Sequence, residues 1–114
     1  MPLINLEKAI RTWITEGNLI IVRLDANNNV RTGDVNAMLR NLGLQEVHSH
    51  AHPHLPTEAT CNKNQKGIPV DGIWASPSLN CIAAGYYGFG ELVIGKTDHR
   101  MIWADFSYKS ALGF

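Results

Sequence analysis

Five polar residues stand in otherwise apolar, strand-like parts of the chain, where their side chains could act together. Asp71 lies inside the run VDGIW at positions 70–74, Asp98 and His99 are adjacent at 98–99, and Asp25 and Asn27 follow the apolar run at 19–24. An unpaired buried carboxylate costs several kcal/mol or becomes protonated, so Asp71 predicts a hydrogen-bond partner. A hydrogen bond between Asp71 and His99 would satisfy both groups. The chemistry that best suits this set is cleavage of a phosphate ester with a divalent metal.

Each of these residues also has a plainer interpretation. Asn and Asp satisfy their own backbone in turns, so Asp25 and Asn27 could simply close a strand. Asp71 could stand at a strand-edge turn, and an adjacent Asp-His pair is most often a solvated loop pair. The segment GDVN at 33–36 repeats a G-D-x-N pattern, but it opens a helix, so Asp34 is better explained as a helix cap. The combination of strand-end positions with a histidine favours a site.

A second pattern is a run of alternating histidines, at His48, His50, His52 and His54. In an extended segment all four would point to one side and could bind Zn²⁺ or Ni²⁺. A polar loop, kept extended by Pro53 and Pro56, is the simpler interpretation, because no cysteine or carboxylate is spaced to complete a metal cage. A non-catalytic metal-binding module remains an alternative.

The composition of the 114-residue chain indicates one domain or a piece of one. Ten basic and ten acidic residues leave no net charge, which argues against a surface that coats nucleic acid. No apolar run approaches the roughly 18 to 20 residues of a membrane span, and the first residues do not resemble a signal peptide. We therefore expect an intracellular protein without membrane contact. Cys61 and Cys81 are expected to be reduced, although one disulfide stays open.

The elements that position these residues alternate between helices and strands. Apolar periodicity predicts a helix over 5–16, capped by Asn5 and ended by Gly17, and then a strand at 19–24 covered on both faces. A second helix is predicted from Asp34 to Gly43. Short strands are predicted near 58–61, 70–75, 81–87, 92–94 and 101–106. The predicted fold class is α/β (α+β), a mostly antiparallel mixed sheet with helices on one face.

Together these motifs resemble the C-terminal half of the endonuclease/exonuclease/phosphatase superfamily. The signatures of that family are a G-D-x-N after a strand, an R-x-D-x-I-like strand and a terminal S-D-H. The chain has DAN at 25–27, VDGIW at 70–74 and TDHRMIW at 97–103, in the same order. The segments 71–78 and 86–103 look most like endonuclease domains found beside reverse transcriptases. The chain departs from the family pattern at three positions. It has Leu24 where the family usually has Gly, Val70 where a basic residue often stands, and Thr97 in place of Ser.

The resemblance implies hydrolysis of phosphodiesters, in nucleic acid or another substrate, with Mg²⁺ or Mn²⁺. In that scheme Asp25 orients or deprotonates the attacking water, and Asn27 holds the water or a phosphate oxygen. Asp98 binds the metal through oxygen. His99 donates to a phosphoryl oxygen as charge develops, and Asp71 fixes its tautomer.

The resemblance also implies an incomplete active site. Family members are much longer, and their N-terminal half supplies an Asn and a metal-binding Glu. We therefore expect a single partial domain over 1–114, half of a two-sheet α/β sandwich, that is weak or inactive alone. It would work with a separate N-terminal half or self-associate through the exposed sheet. The alternative is a non-catalytic remnant or a His-rich metal-binding or interaction module.

Overall fold

The computed structural model describes residues 3–25, 29–53, 69, 71–87, 100–107 and 109. These residues form helices α1 (Leu3–Thr15), α2 (Asp34–Asn41) and α3 (Val47–Ala51), with strands β1 (Ile21–Asp25), β2 (Gln45–Glu46), β3 (Asp71–Ala75), β4 (Cys81–Tyr86) and β5 (Ile102–Phe106). A 3-10 turn at Pro77–Leu79 joins β3 to β4. The predicted α+β class is confirmed. The strands predicted at 58–61 and 92–94 lie outside the described residues.

The strands form two antiparallel sheets. β3 is the central strand of the first sheet, whose order is β1-β3-β2. β4 and β5 pair as the second sheet, with an irregularity between Cys81 and Ala83. Every described strand pair is antiparallel, as the sequence predicted for most of the sheet.

Strand β3 is buried on both faces and separates two apolar cores. Trp74 points to the side that α1 and α2 cover, in a core that also contains Ile10, Ile20, Val30, Val35, Met38, Leu39 and Leu44. Ile73 and Ala75 point to the other side, where they pack with Val47, Leu79, Ala84 and Ile102. Because successive side chains of a strand face opposite ways, one short strand serves both cores.

Strand β1 differs from its prediction, since only one of its faces is covered. Val22 and Leu24 pack partly against the helix-side core, whereas Ile21 is 54% exposed. Arg23 and Asp25 are exposed as well. The branched apolar run at 19–24 suggested burial on both faces, but β1 is an edge strand whose second face is open.

Helices α1 and α2 do not begin at the residues that the capping signals predicted. α1 starts at Leu3, so Asn5 lies inside the helix, while Gly17 follows its end with a φ of +88°. Asp34 is the first residue of α2, and Gly33 occupies the N-cap without a side-chain hydrogen bond. Among the described residues, none of the helices has the length and apolar content that crossing a bilayer requires.

Candidate functional site

The structure places two of the predicted site residues directly opposite each other. In the antiparallel register of β1 and β3, Asp25 is the cross-strand partner of Asp71. Directly opposed residues point to the same face, with Cβ atoms about 4.5–5.5 Å apart. The two carboxylates therefore share one end of the β1-β3 ladder, although 46 positions separate them in the sequence (71 minus 25).

The electrostatics of this end follow from the pairing. Asp25 is exposed and Asp71 is half-buried. Like charges on directly opposed positions repel each other, so the two carboxylates need compensating interactions at this end of the ladder. Carboxylate oxygens are the ligands that hard divalent cations prefer.

Neighbours on β3 explain why Asp71 faces this way. Trp74 is completely buried on the helix side, where its indole N–H donates to the side-chain oxygen of Asn36 at 3.0 Å. The Trp74 ring lies against Gly72: a Cβ at position 72 would be 2.7 Å from the ring. Since Gly72 and Trp74 occupy the helix-side face, alternation puts Asp71 and Ile73 on the other face.

The remaining predicted site residues are not part of the described structure. Asn27, Asp98 and His99 all lie outside the described residues. Within the described part of the chain, no group of three or more His, Cys, Asp or Glu side chains is placed to hold a metal ion. The observed part of the candidate site is therefore the pair Asp25 and Asp71.

The histidine run does not have the extended geometry that was expected. Residues 47–51 form the short helix α3, so alternating histidines no longer share a face. His48 and His52, one helical turn apart, contact the backbone of β4: their Nε2 atoms lie 2.9 Å from the Gly85 carbonyl oxygen and 2.7 Å from that of Ala84. His54 lies outside the described residues. His48 and His52 thus hold α3 against β4.

Sequence reasoning missed a buried polar cluster at the start of α3. Glu46 caps the helix by accepting hydrogen bonds from the backbone N–H groups of His48 at 2.8 Å and Ser49 at 3.0 Å. The His48 ring stacks on Tyr86 with centroids 4.6 Å apart. Burial alone would raise the pKa of Glu46, but the hydrogen bonds from His48 and Ser49 outweigh it and hold the pKa below its ordinary value. No local signal marked this cap, because Asn, Asp, Ser and Thr are the residues preferred at the N-cap.

Comparison with known proteins does not extend the family resemblance. No protein-family model matches the chain, and no curated protein matches it. The resemblance to the endonuclease/exonuclease/phosphatase superfamily therefore rests on the three motifs, and it stays a prediction.

Proposed function

We propose that this chain takes part in metal-dependent hydrolysis of phosphodiesters, with nucleic acid as the favoured substrate class. The observation that supports this most is the pairing of Asp25 with Asp71 at one end of the β1-β3 ladder. Two motifs that the resemblance requires to meet do lie at the same place.

The resemblance assigns a hard cation, Mg²⁺ or Mn²⁺, to the hydrolytic site. Carboxylate oxygens suit both ions, and Mg²⁺ keeps several water ligands, so few protein ligands are needed. The resemblance assigns the metal to Asp98. When bound, the ion would stabilise the negative charge that develops on the leaving oxygen.

The resemblance also assigns the roles of the other residues, and their chemistry suits these roles. Asp25, as an exposed carboxylate, orients the attacking water and accepts its proton, while Asn27 holds the water or a phosphate oxygen. His99 donates a hydrogen bond to a phosphoryl oxygen. Asp71 accepts from the other ring nitrogen of His99 and so fixes its tautomer.

Replacement of His99 tests this proposal. We expect the purified chain to cleave a supercoiled plasmid and bis(p-nitrophenyl) phosphate slowly and only with Mg²⁺ or Mn²⁺. The rate is expected to be low because the resemblance places a further metal-binding Glu on a separate N-terminal half. His99→Ala should lower the rate about 100-fold or more, as expected for loss of a hydrogen bond that stabilises the charge developing on the phosphoryl oxygen, with an unchanged urea midpoint.

Asp34→Asn is the matched control, because Asp34 stands in the other G-D-x-N segment and is exposed on α2. This variant should keep the wild-type rate. Asp71→Asn should be slow, and the double variant with His99→Ala no slower than His99→Ala alone, because the two residues act as a unit. Wild-type rates in His99→Ala, or cleavage by the wild-type chain that does not depend on the metal ion, would contradict the proposal.

A further inference from the structure

A cleft of about 460 Å³ lies away from the opposed aspartates, between α2, β2 and α3. Its volume falls within the range of about 300–1,000 Å³ that is typical of small-ligand sites. Two arginines line it, Arg31 and Arg40, together with Gln45 and His50. Residues with hydrogen-bond donors therefore meet at one space from four segments, namely the turn before α2, α2, β2 and α3.

The backbone at Arg31 is held in place from both sides. Its N–H donates to the side-chain oxygen of Asn29 at 2.9 Å, and its carbonyl accepts from the side-chain amide of Asn36 at 2.9 Å. Asn36 is itself buried and accepts from the Trp74 indole. The position of Arg31 is thus tied to the core, which lowers the entropy that a ligand would have to remove on binding.

The two arginines that line the cleft outnumber the single lining carboxylate, that of Glu46. Neither Arg31 nor Arg40 forms an ion pair with a described carboxylate, and the Nε atom of Arg31 is buried without a hydrogen-bond partner among the described residues. The Glu46 oxygens are engaged by the N–H groups of His48 and Ser49 and by the Ser49 hydroxyl.

We propose that this cleft binds a phosphoryl group. Arg31 and Arg40 would each present a planar set of N–H donors, which matches the geometry of phosphate oxygens and compensates the charge of the anion. Gln45 and His50 add further hydrogen-bond donors. This site is separate from the proposed hydrolytic one: binding here needs neither a metal ion nor Asp71 or His99.

Titration with inorganic phosphate at constant ionic strength, followed by ¹H–¹⁵N NMR, tests the proposal. We expect saturable shifts of the Arg31 Nε–Hε resonance and of the backbone amides of Ser49 and His50. Arg40→Met should weaken phosphate binding about tenfold or more, since it removes a charge-assisted contact. Arg40 is exposed on the last turn of α2, so this variant is expected to fold. Arg31→Met should weaken binding at least as much.

Arg23→Met is the matched control, because Arg23 is exposed on β1 and does not line the cleft. It should bind phosphate as the wild type does. Competition with a dinucleotide, with and without a 5′-phosphate, distinguishes a backbone phosphodiester from a terminal phosphate, and displacement by either supports a phosphoryl site. Shifts no larger than those caused by sodium chloride, wild-type affinity in Arg40→Met, or equal loss in Arg23→Met would overturn the proposal.

Discussion

Trp74 is the residue on which the orientation of Asp71 depends most directly. Its ring is fully buried, its N–H is bonded to Asn36, and its edge lies against Gly72. A rotation of β3 that moved Trp74 out of its core would move Asp71 away from Asp25 as well. The geometry of the candidate site is therefore set by an apolar residue three positions from the carboxylate.

Gly72→Ala is predicted to destabilise the protein by about 1–3 kcal/mol, as overpacking of a core does. The added Cβ would lie 2.7 Å and 2.8 Å from two ring carbons of Trp74 and 3.2 Å from the Cβ of Val30. One of these groups must shift. Urea unfolding measures the loss as a lower midpoint at unchanged slope.

A double-mutant cycle with Trp74→Phe separates this clash from a general effect of alanine in a strand. Phenylalanine removes the ring atoms that the new Cβ would meet, so Gly72→Ala should cost clearly less in that background. An equal cost in both backgrounds would show that the Trp74 ring is not the cause.

At the scale of the elements, α3 illustrates how one carboxylate can decide a conformation. The helix has only five residues, too few to form on propensity alone. Glu46 satisfies two of its free N–H groups, and His48 and His52 attach it to β4. The cap and the tertiary contacts together stabilise a helix in a segment that would otherwise be a polar loop.

Glu46→Gln is predicted to lower stability at pH 7 by about 1–3 kcal/mol, because the charged cap and its buried hydrogen bonds are weakened. The pKa of Glu46 is held below its ordinary value in the folded state. Its contribution is therefore complete above the unfolded pKa of about 4.5 and is lost as the pH falls through the lower folded pKa. The difference between variant and wild type should shrink below pH 4.5, which urea unfolding from pH 7 to pH 3 measures.

Glu7→Gln is the control for this titration. Glu7 is 38% exposed and pairs with Arg11 across one turn of α1 at 2.9 Å, and such exposed pairs contribute about 0.3–0.5 kcal/mol. Glu7→Gln should therefore lower the free energy of unfolding only slightly at every pH. A pH-independent difference for Glu46→Gln would contradict the role of the ionised carboxylate.

The elements that could be predicted from the sequence are those whose pattern is local. The helical periodicity before Gly17 and Gly43 and the apolar runs of β1 and β3 specify their structure within one segment. By contrast, α3 and the two-residue β2 depend on partners far along the chain, such as Gly85 for His48. Alternating histidines look extended until that partner is known.

The candidate site was also predictable only where the signal in the sequence is local. Asp71 could be singled out because a carboxylate is unusual in VDGIW, and Asp25 because it ends a strand. That the two are opposed depends on the register of β1 and β3, which no local signal fixes. Arg31 and Arg40 carried no sequence signal, because an arginine in a turn and one on a helix are ordinary surface residues until the cleft brings them together.

At the scale of the whole molecule, β3 makes the two cores one cooperative unit. Trp74 belongs to the core under α1 and α2, and Ile73 to the core under α3, β4 and β5. A strand that is buried on both faces cannot separate from one core without exposing the other. Loss of packing in either core should therefore lower the stability of the whole molecule, which should still unfold in one transition.

Ile73→Ala and Leu39→Ala test this coupling, because the two residues lie in different cores and are 6% and 0% exposed. Each should destabilise the protein by about 2–5 kcal/mol through loss of apolar burial and a residual cavity. Ile82→Ala, at a residue 64% exposed on β4, should change stability by no more than about 0.5 kcal/mol. In both core variants, tryptophan fluorescence and far-UV circular dichroism should report one coincident transition. Two separate transitions in Ile73→Ala would mean that the β4-β5 side unfolds independently, and that the position of Asp71 is then held from the helix side alone.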